Sequence, residues 1–328
     1  MRFNSSHLTR RQLLAITAAS TVAAVPTGLF AQGAYPNRPV DLIVPAGAGG
    51  GTDVLARVFS DVARKHFSQP ITVINRPGAS GMIGHGEMIN AKPDGYKIAM
   101  VFAEIVIVPH MGQSKLSYED FLPIAQLNGD PAAVTVRADA PWKTIEEFLA
   151  ATKAKDGTMT MGNAGPGSIW HLAAAAIEEK TQVKFNHVGF GGAAPAVLSL
   201  LGGHIDAVAV SPGEVATHVQ GGKLRTLAVA ADKRVKGFES VPTFKERNLD
   251  VTIGTWRGLA APKGTPTEVM AVLSELARKC ADEPALKEGL DRLSMGWSYA
   301  NAETFRANMK RDNDYFKALV GKLGLKTA

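Results

Sequence analysis

Val40-Asp41-Leu42-Ile43-Val44 is followed at once by Pro45-Ala46-Gly47-Ala48-Gly49-Gly50-Gly51-Thr52-Asp53. The first segment is an apolar run that predicts a strand, and the second is a glycine-rich loop. Apolar residues then recur at the spacing of a helix, at Val54, Leu55, Val58, Phe59 and Val62. Glycine backbones let N–H groups at the start of a helix turn toward one point, where the helix dipole favours a negative charge. We therefore predict an anion-binding site in this loop.

Two kinds of nucleotide-binding loop share this order of elements. A P-loop ends in Gly-Lys-Ser/Thr, whereas Thr52 and Asp53 follow the glycines here without a lysine. A dinucleotide fingerprint needs a third glycine, where this chain has Thr52, and an acid after the next strand, where it has Asn75-Arg76. The P-loop is excluded and the dinucleotide site is disfavoured. A plain strand-to-helix turn remains the alternative to an anion site.

The first 33 of the 328 residues are typical of an export signal. Arg2, Arg10 and Arg11 make a basic start, an apolar stretch of small residues follows, and cleavage is predicted before Ala34. The order Thr-Arg-Arg-Gln-Leu-Leu at residues 9–14 favours the twin-arginine route over general secretion. The sequence therefore predicts a protein of the bacterial periplasm.

Charge and cysteine content narrow the class of partner. Removing residues 1–33 removes three arginines and no acid, so the formal charge falls from +6 to +3 and nucleic acid is not expected as a partner. Cys280 is the only cysteine and lies far from the cleavage site, so it forms no internal disulfide and carries no lipid anchor. The eight histidines are dispersed, so no metal site is expected.

The arrangement of strand, glycine loop and helix returns in the middle of the chain. Met159 to Met161 predicts a strand, residues 162–168 form a second glycine-rich loop, and a helix is predicted from Ile169. Strands and helical stretches alternate along the chain, which predicts α/β architecture with a mostly parallel sheet. Ligands of such sheets bind beyond the carboxyl ends of the strands. Two glycine loops, one in each half, can therefore close on one anion.

Several ordered motifs resemble the Bug-type periplasmic solute receptors of tripartite tricarboxylate transporters. They are Tyr35 to Val40, Pro45 to Asp53, Asn75 to Gly84, Lys92 to Tyr96, Gly162 to His171, Leu201 to Asp206 and Ala261 to Pro266. The resemblance implies a type II periplasmic binding protein, with two α/β lobes, a hinge and an interlobe cleft. We expect residues 34–133 and 254–328 to form lobe 1 and residues 134–253 to form lobe 2.

The resemblance also implies that the two glycine loops pinch a ligand carboxylate through backbone N–H groups and waters. Asp53 and Ser168 have an alternative role as helix caps alone, and His171 is either structural or part of the cleft rim. The candidate ligand-binding residues carried onto this chain are Ala48, Gly49, Gly50, Thr52, Asp53, Ala103, Glu104, Ala164, Gly165, Ser168, His171, Phe190 and Ser211.

Two departures from the family pattern bear on the ligand. Phe190 and Gly191 stand where the family usually has tyrosine and a basic residue, and Glu104 stands where small polar residues are usual. A Glu104 that faces the cleft disfavours a second ligand carboxylate, which favours a monocarboxylate, an aromatic acid or an amino acid over a dicarboxylate. The alternative is a solvated Glu104 at the cleft mouth. Phe190, Trp170 and Trp256 either wall an aromatic ligand or pack between lobes.

The resemblance implies a monomeric receptor without cofactor or catalysis, which hands its ligand to membrane subunits of a transporter. A sensor that signals to a membrane partner is one alternative. A Ser/His hydrolase is another, with Ser168 and His171 one helical turn apart and Asp206 or Asp53 to orient the histidine. The chain has no Gly-x-Ser-x-Gly elbow, since no glycine lies two residues after Ser80. A receptor is therefore the prediction.

Overall fold

The computed structural model describes residues 35–325, and the predicted export signal and its cleavage site lie outside the described residues. The strands of the described part are β1 (Val40–Val44), β2 (Ile71–Asn75), β3 (Lys97–Phe102), β4 (Phe121–Pro131), β5 (Ala133–Arg137), β6 (Thr160–Asn163), β7 (Asn186–Gly189), β8 (Ala207–Val210), β9 (Leu224–Val229), β10 (Gly254–Pro262) and β11 (Trp297–Asn301). Its α-helices are α1 (Gly51–Ala63), α2 (Met82–Ile89), α3 (Ile145–Ala154), α4 (Ile169–Thr181), α5 (Ala193–Leu201), α6 (Pro212–Gln220), α7 (Thr267–Asp282), α8 (Pro284–Arg292) and α9 (Ala302–Lys322).

The first sheet has the strand order β11-β4-β10-β3-β1-β2. Strands β1, β2 and β3 are parallel, while β10 runs antiparallel to both β3 and β4. Arg257 near the start of β10 is the register partner of Phe102 at the end of β3 and of Asn128 near the end of β4. The carboxyl ends of β1 to β4 and the start of β10 therefore share one edge of the sheet.

The second sheet has the strand order β7-β6-β8-β5-β9. Strand β6 is parallel to β7 and β8, whereas β5 is antiparallel to both of its neighbours. Ala133, the first residue of β5, is the register partner of Val210 and of Val229, which end β8 and β9. The loops that follow β6, β8 and β9 consequently lie at the edge where the chain enters this sheet.

The chain passes between the sheets at two places, and the passing segments are hydrogen-bonded to one another. The N–H of Ala132 donates to the carbonyl of Ile253, the N–H of Ile253 to Ala230, and the N–H of Ala230 to Ala132. All three side chains are small or apolar and buried. These segments connect two α/β lobes, each built on one sheet, as the type II binding-protein fold requires. The lobe boundaries drawn from the sequence remain a prediction.

The apolar core lies on both faces of the sheets. In α1, Leu55, Phe59 and Val62 recur at helical spacing and are buried against the first sheet. A second cluster combines residues of the second sheet, such as Val134 and Val208, with residues of α9. Helix α9 and the second sheet therefore share one apolar cluster. None of the helices in residues 35–325 combines the length and the hydropathy that a bilayer crossing requires.

Candidate functional site

The carboxylate of Asp53 fixes the first glycine loop through hydrogen bonds. The N–H of Gly49 donates to Asp53 Oδ2 over 2.8 Å, and Asn75 Nδ2 donates to Asp53 Oδ1 and to the carbonyl of Ala46, both over 3.0 Å. Arg57 adds a bidentate contact from the next turn of α1. Burial alone raises the pKa of Asp53, but the hydrogen bonds from Arg57, Gly49 and Asn75 outweigh it and lower the pKa below its usual value. Asp53 is thus an ionised support of the loop.

The N-terminus of α1 opens toward the cleft edge of the first sheet. Gly50 is the N-cap, so the N–H groups of Gly51, Thr52 and Asp53 have no preceding helical turn to accept them. Ala48 and Gly49 are exposed at the tip of the loop, and Gly49 has a φ of 79°, which glycine adopts without strain. This geometry is that of an anion site at a helix N-terminus.

The second glycine loop, which follows β6, caps α4 with its own polar groups. Ser168 Oγ donates to the carbonyl of Gly165 over 2.7 Å and accepts from the N–H of His171 over 3.2 Å. The N–H of Gly165 donates to Asn163 Oδ1 over 2.9 Å. The Ser168 hydroxyl therefore caps α4 and donates its one proton to Gly165, while its contact with a ligand stays a prediction. Ala164, between these residues, is half-buried.

Glu104 joins the two lobes at the N-terminus of α4. It follows β3 in a short 3₁₀ helix (Ala103–Val106), is 9% exposed, and its Oε1 accepts from the N–H of Ile169 over 3.2 Å. Burial raises the pKa of Glu104, although the Ile169 hydrogen bond and the charge of Arg257 act in the opposite direction. Glu104 is therefore not solvated at the cleft mouth. Its carboxylate binds the helix start of the opposite lobe.

A second close approach between the lobes lies one residue before Ser168. Gly167 has a φ of 79°, and a Cβ placed on it would lie 2.9 Å from the sulfur of Met111 in the first lobe. Only glycine combines this backbone conformation with this clearance. The second glycine loop is thus fitted against the first lobe at two points.

His171 and Phe190 border the second glycine loop. Burial and the neighbouring His187 lower the pKa of His171 to about 4, so its imidazole is neutral at neutral pH. His171 Nδ1 accepts from the N–H of Gly167 over 3.3 Å. Phe190 is half-buried, and its N–H donates to the carbonyl of Asn163 over 3.0 Å. This rim of the cleft therefore carries no full positive charge from these residues.

Ser211 lies at the start of α6, at the same edge of the second sheet. Its N–H and its hydroxyl both donate to Glu214 Oε2, over 3.0 and 3.1 Å, in a capping box. Burial raises the pKa of Glu214, and the charge of Arg257 opposes the shift. Ser211 is 2% exposed and therefore acts first as a helix cap.

Trp170 and Trp256 are packing residues. Trp256 Nε1 donates to Asp312 Oδ2 of α9 over 2.9 Å, and its ring meets Phe305 edge-on with centroids 5.1 Å apart. Trp170 is 4% exposed within the shared core. Of the two roles left open for these tryptophans, packing is the one that the geometry favours.

Sequence reasoning missed Arg257 and Asn163. Arg257 lies in β10 and is 6% exposed, and a single arginine within an apolar strand was the available signal. Asn163 ends β6 and is 1% exposed, and within residues 35–325 nothing accepts a hydrogen bond from its Nδ2. Such an unpaired buried amide is uncommon, so it marks a place for an acceptor.

A cavity of about 620 Å³ lies beside the end of β4, the start of β11 and the segment that follows β9. None of the candidate ligand-binding residues is among those that line it. First-lobe residues Gly129, Met295 and Trp297 line it opposite the second-lobe residues Ala231, Val235 and Lys236. In the same described residues, His, Cys, Asp and Glu form no group of three or more suited to hold a metal ion.

Comparison with known proteins places this geometry in a family. Residues 55–325 match the model of the tripartite tricarboxylate transporter family receptor, TctC. A TctC solute-binding protein from Polaromonas, solved without ligand, is 57% identical with a TM-score of 0.73, covering 88% of this chain and 99% of that one. The periplasmic binding protein BugD is 30% identical with a TM-score of 0.82, covering 90% and 100%.

A ligand-bound structure is also similar. MatC from Rhodopseudomonas palustris, solved with bound malate, is 25% identical with a TM-score of 0.78, covering 87% of this chain and all of that one, 100%. The matched family model spans most of the described chain, and the similar structures are periplasmic solute-binding proteins with the same two-lobed fold. The chain therefore belongs to the Bug-type receptors of the tripartite tricarboxylate transporter family.

Proposed function

We propose that the protein is a periplasmic receptor that encloses a small carboxylate between its lobes and presents it to the membrane subunits of a tripartite tricarboxylate-type transporter. One observation carries the proposal: the two glycine loops each open a helix N-terminus, and at α4 a carboxylate, that of Glu104, already accepts a backbone N–H. The malate bound by MatC supports a carboxylate as the class of ligand, although malate itself carries two carboxylates. Its family membership supports export to the periplasm.

Capture proceeds by closure of the cleft. The loop at α1 belongs to the first lobe and the loop at α4 to the second, so a ligand contacts both only when the lobes approach. The ligand then stabilises the closed state by its differential affinity for that state. Closure also changes the outer surface formed jointly by the two lobes, which is the surface that membrane subunits can recognise.

The ligand is proposed to carry one carboxylate. Glu104 fills the N-terminus of α4, so the positive end of that helix is already compensated inside the cleft. A second ligand carboxylate at this end would meet a like charge in a buried setting. A monocarboxylate, an aromatic acid or an amino acid therefore fits the cleft better than a dicarboxylate.

Binding without catalysis is the proposed activity. A Ser/His hydrolase needs a serine hydroxyl hydrogen-bonded to the imidazole that activates it. Here the Ser168 hydroxyl donates to the carbonyl of Gly165, and His171 Nδ1 accepts from a backbone N–H. Asp206 is engaged by Thr160 and Asp53 by Arg57, so neither orients His171. These contacts support a receptor over a hydrolase.

The test compares monocarboxylic and dicarboxylic acids of similar carbon skeleton. Melting temperatures of the mature protein are measured with butyrate and succinate, hexanoate and adipate, benzoate and phthalate, since a ligand of the folded state raises the melting temperature. We expect the monocarboxylates to give the larger shifts. A set of carboxylates that all leave the melting temperature unchanged would contradict the receptor proposal.

A charge-neutral variant isolates the role of Glu104. Glu104→Gln keeps an oxygen that accepts from Ile169 but removes the charge, so dicarboxylates should bind roughly tenfold more tightly while monocarboxylates change little. Glu275→Gln, on the exposed face of α7, is the matched control. Dicarboxylate affinity that stays unchanged in Glu104→Gln would show that Glu104 does not set the preference.

A further inference from the structure

Arg257 lies where the two lobes meet, at the start of α1. Its Nε donates to Thr52 Oγ1 over 3.0 Å, and its Nη1 donates to Asp130 Oδ2 over 2.6 Å. A Cβ placed on Gly51 would lie 3.2 Å from Nη2, so the guanidinium edge faces the first turn of the helix. Gly51 leaves the room that this edge occupies.

One edge of this buried guanidinium has no partner. Within residues 35–325, Nε and Nη1 have acceptors while no residue accepts a hydrogen bond from Nη2. A guanidinium has five N–H donors, and those of Nη2 are not used within the described part of the protein. Arg257 is 6% exposed, and Nη2 is not one of the fully buried atoms without a partner, so solvent reaches this edge. An acceptor that enters from solvent at the helix start can therefore bind it.

The nearby carboxylates do not supply that acceptor. Asp130 Oδ1 accepts from the N–H of Gly296 over 2.7 Å, and its Oδ2 is shared between Arg257 and Asn128. Glu104 is directed to the N–H of Ile169, and Glu214 to the N–H and hydroxyl of Ser211. The charge of Arg257 acts on Glu104 and Glu214, and Asp130 accepts from its Nη1. None of the three accepts from Nη2.

The Arg257 guanidinium and the N-terminus of α1, both positive, consequently lie side by side in the first lobe. The guanidinium carries a full charge, and the N-terminus of α1 adds the partial charge of its unpaired N–H groups. Asp53, the acid of this first turn, is already committed to Arg57, Asn75 and Gly49. An anion that accepts from Nη2 and from the helix start satisfies both features together.

We propose that Arg257 binds the ligand carboxylate through Nη2, together with the N–H groups that open α1, and so makes the receptor select a charged acid over its neutral amide. The assignment rests on the proposed function, because it needs a carboxylate ligand in the cleft. In this assignment the ligand carboxylate binds the first lobe. The other end of the ligand then lies at the uncharged rim formed by Phe190, Gly191 and neutral His171.

The experiment measures acid-to-amide preference by calorimetry. The probes are benzoate with benzamide, nicotinate with nicotinamide, and butyrate with butyramide. The double variant R257Q/D130N removes both partners of the buried ion pair and keeps hydrogen-bonding side chains, so no unpaired charge is left behind. We expect its preference for acid over amide to fall by about tenfold to a hundredfold, because a hydrogen bond to a charged acid contributes more than one to a neutral amide.

A matched control and a second variant make the result decisive. R278Q/D282N neutralises an exposed pair of the same residue types on α7, and it should keep the acid preference of the wild type. If R257Q/D130N does not fold, Arg257→Lys keeps the charge without the planar fork and should retain a reduced acid preference. Acid preference that is unchanged in a folded Arg257 variant would overturn the assignment. A wild type that binds none of the three acids would overturn the proposed function itself.

Discussion

His85 is a buried titratable residue that the binding site does not use. It lies in α2 with 0% exposure, its ring sits 4.9 Å from that of Phe102, and neither of its nitrogens has a hydrogen-bond partner within residues 35–325. Burial lowers its pKa from 6.5 to about 3. The folded protein thus holds His85 neutral, while the unfolded chain takes up a proton below pH 6.5.

Acid should therefore destabilise the protein through His85. Well above pH 6.5 this difference in pKa has no effect on the free energy of unfolding. As the pH falls from 6.5 toward 3, the unfolded chain binds a proton that the folded protein does not, and the free energy of unfolding decreases. The decrease is about 2 kcal/mol at pH 5. We expect His85→Leu to lose about that much less stability than the wild type between pH 7 and pH 5, as measured by urea unfolding. His204→Gln, on an exposed loop, should behave as the wild type does. Equal pH dependence in His85→Leu and wild type would show that this ring does not titrate on unfolding.

At the scale of single elements, α4 differs from the other capped helices because two acceptors serve its first turn. Ser168 accepts from the N–H of His171, and Glu104 accepts from that of Ile169. Aspartate is normally as good an N-cap as serine or asparagine. At position 168 it would place a second carboxylate beside Glu104.

Ser168→Asp should accordingly destabilise the protein by roughly 1 kcal/mol or more, in contrast to the usual rule for N-caps. Asn301→Asp, at the N-cap of α9, is the comparison and should be close to neutral. In a Glu104→Gln background the part of this cost that comes from charge repulsion should disappear, while the loss of the hydrogen bond from Ser168 to the Gly165 carbonyl remains. Urea unfolding of the four combinations gives this coupling directly, and additive effects would mean that the two carboxylates do not meet.

The elements that sequence reasoning found are those specified locally. Glycine runs before a helical pattern identified both loops, because glycine freedom and helix capping depend on neighbours in sequence. Arg257 was missed because its role depends on the register of β10 against β3 and β4. Glu104 was identified as a candidate, but its contact with Ile169 joins residues 65 apart in the chain and needed the folded lobes. Local sequence patterns thus predicted the two glycine loops. The contacts of Arg257 and Glu104 with these loops could be identified only from the tertiary structure.

For the whole molecule, the shared core predicts how the lobes unfold. The larger cluster combines Val134 and Val208 of the second sheet with Phe305 and Phe316 of α9. Lys322 at the end of α9 pairs with Glu179 of α4, which adds an ionic contact between the same parts. An independent unfolding of one lobe would expose this cluster to water.

We expect one cooperative transition in urea, with tryptophan fluorescence and far-ultraviolet circular dichroism giving the same midpoint. Phe316→Ala should lower the free energy of unfolding by about 3–5 kcal/mol and keep the transition single, because the residue belongs to the core of both lobes. Tyr315→Ala, at a neighbouring and more exposed position, is the control. Separate midpoints for the two probes would mean that the lobes unfold independently.

The three hydrogen bonds that link Ala132, Ala230 and Ile253 have a consequence for the timescale on which their amide protons exchange with solvent. Each of the three residues donates to one of the others and accepts from the third, in a buried setting. If the lobes turn about these segments with the bonds intact, repeated opening of the cleft leaves the three amides protected. They would then exchange deuterium only on global unfolding. The part of the backbone about which the lobes move would be among its slowest to exchange.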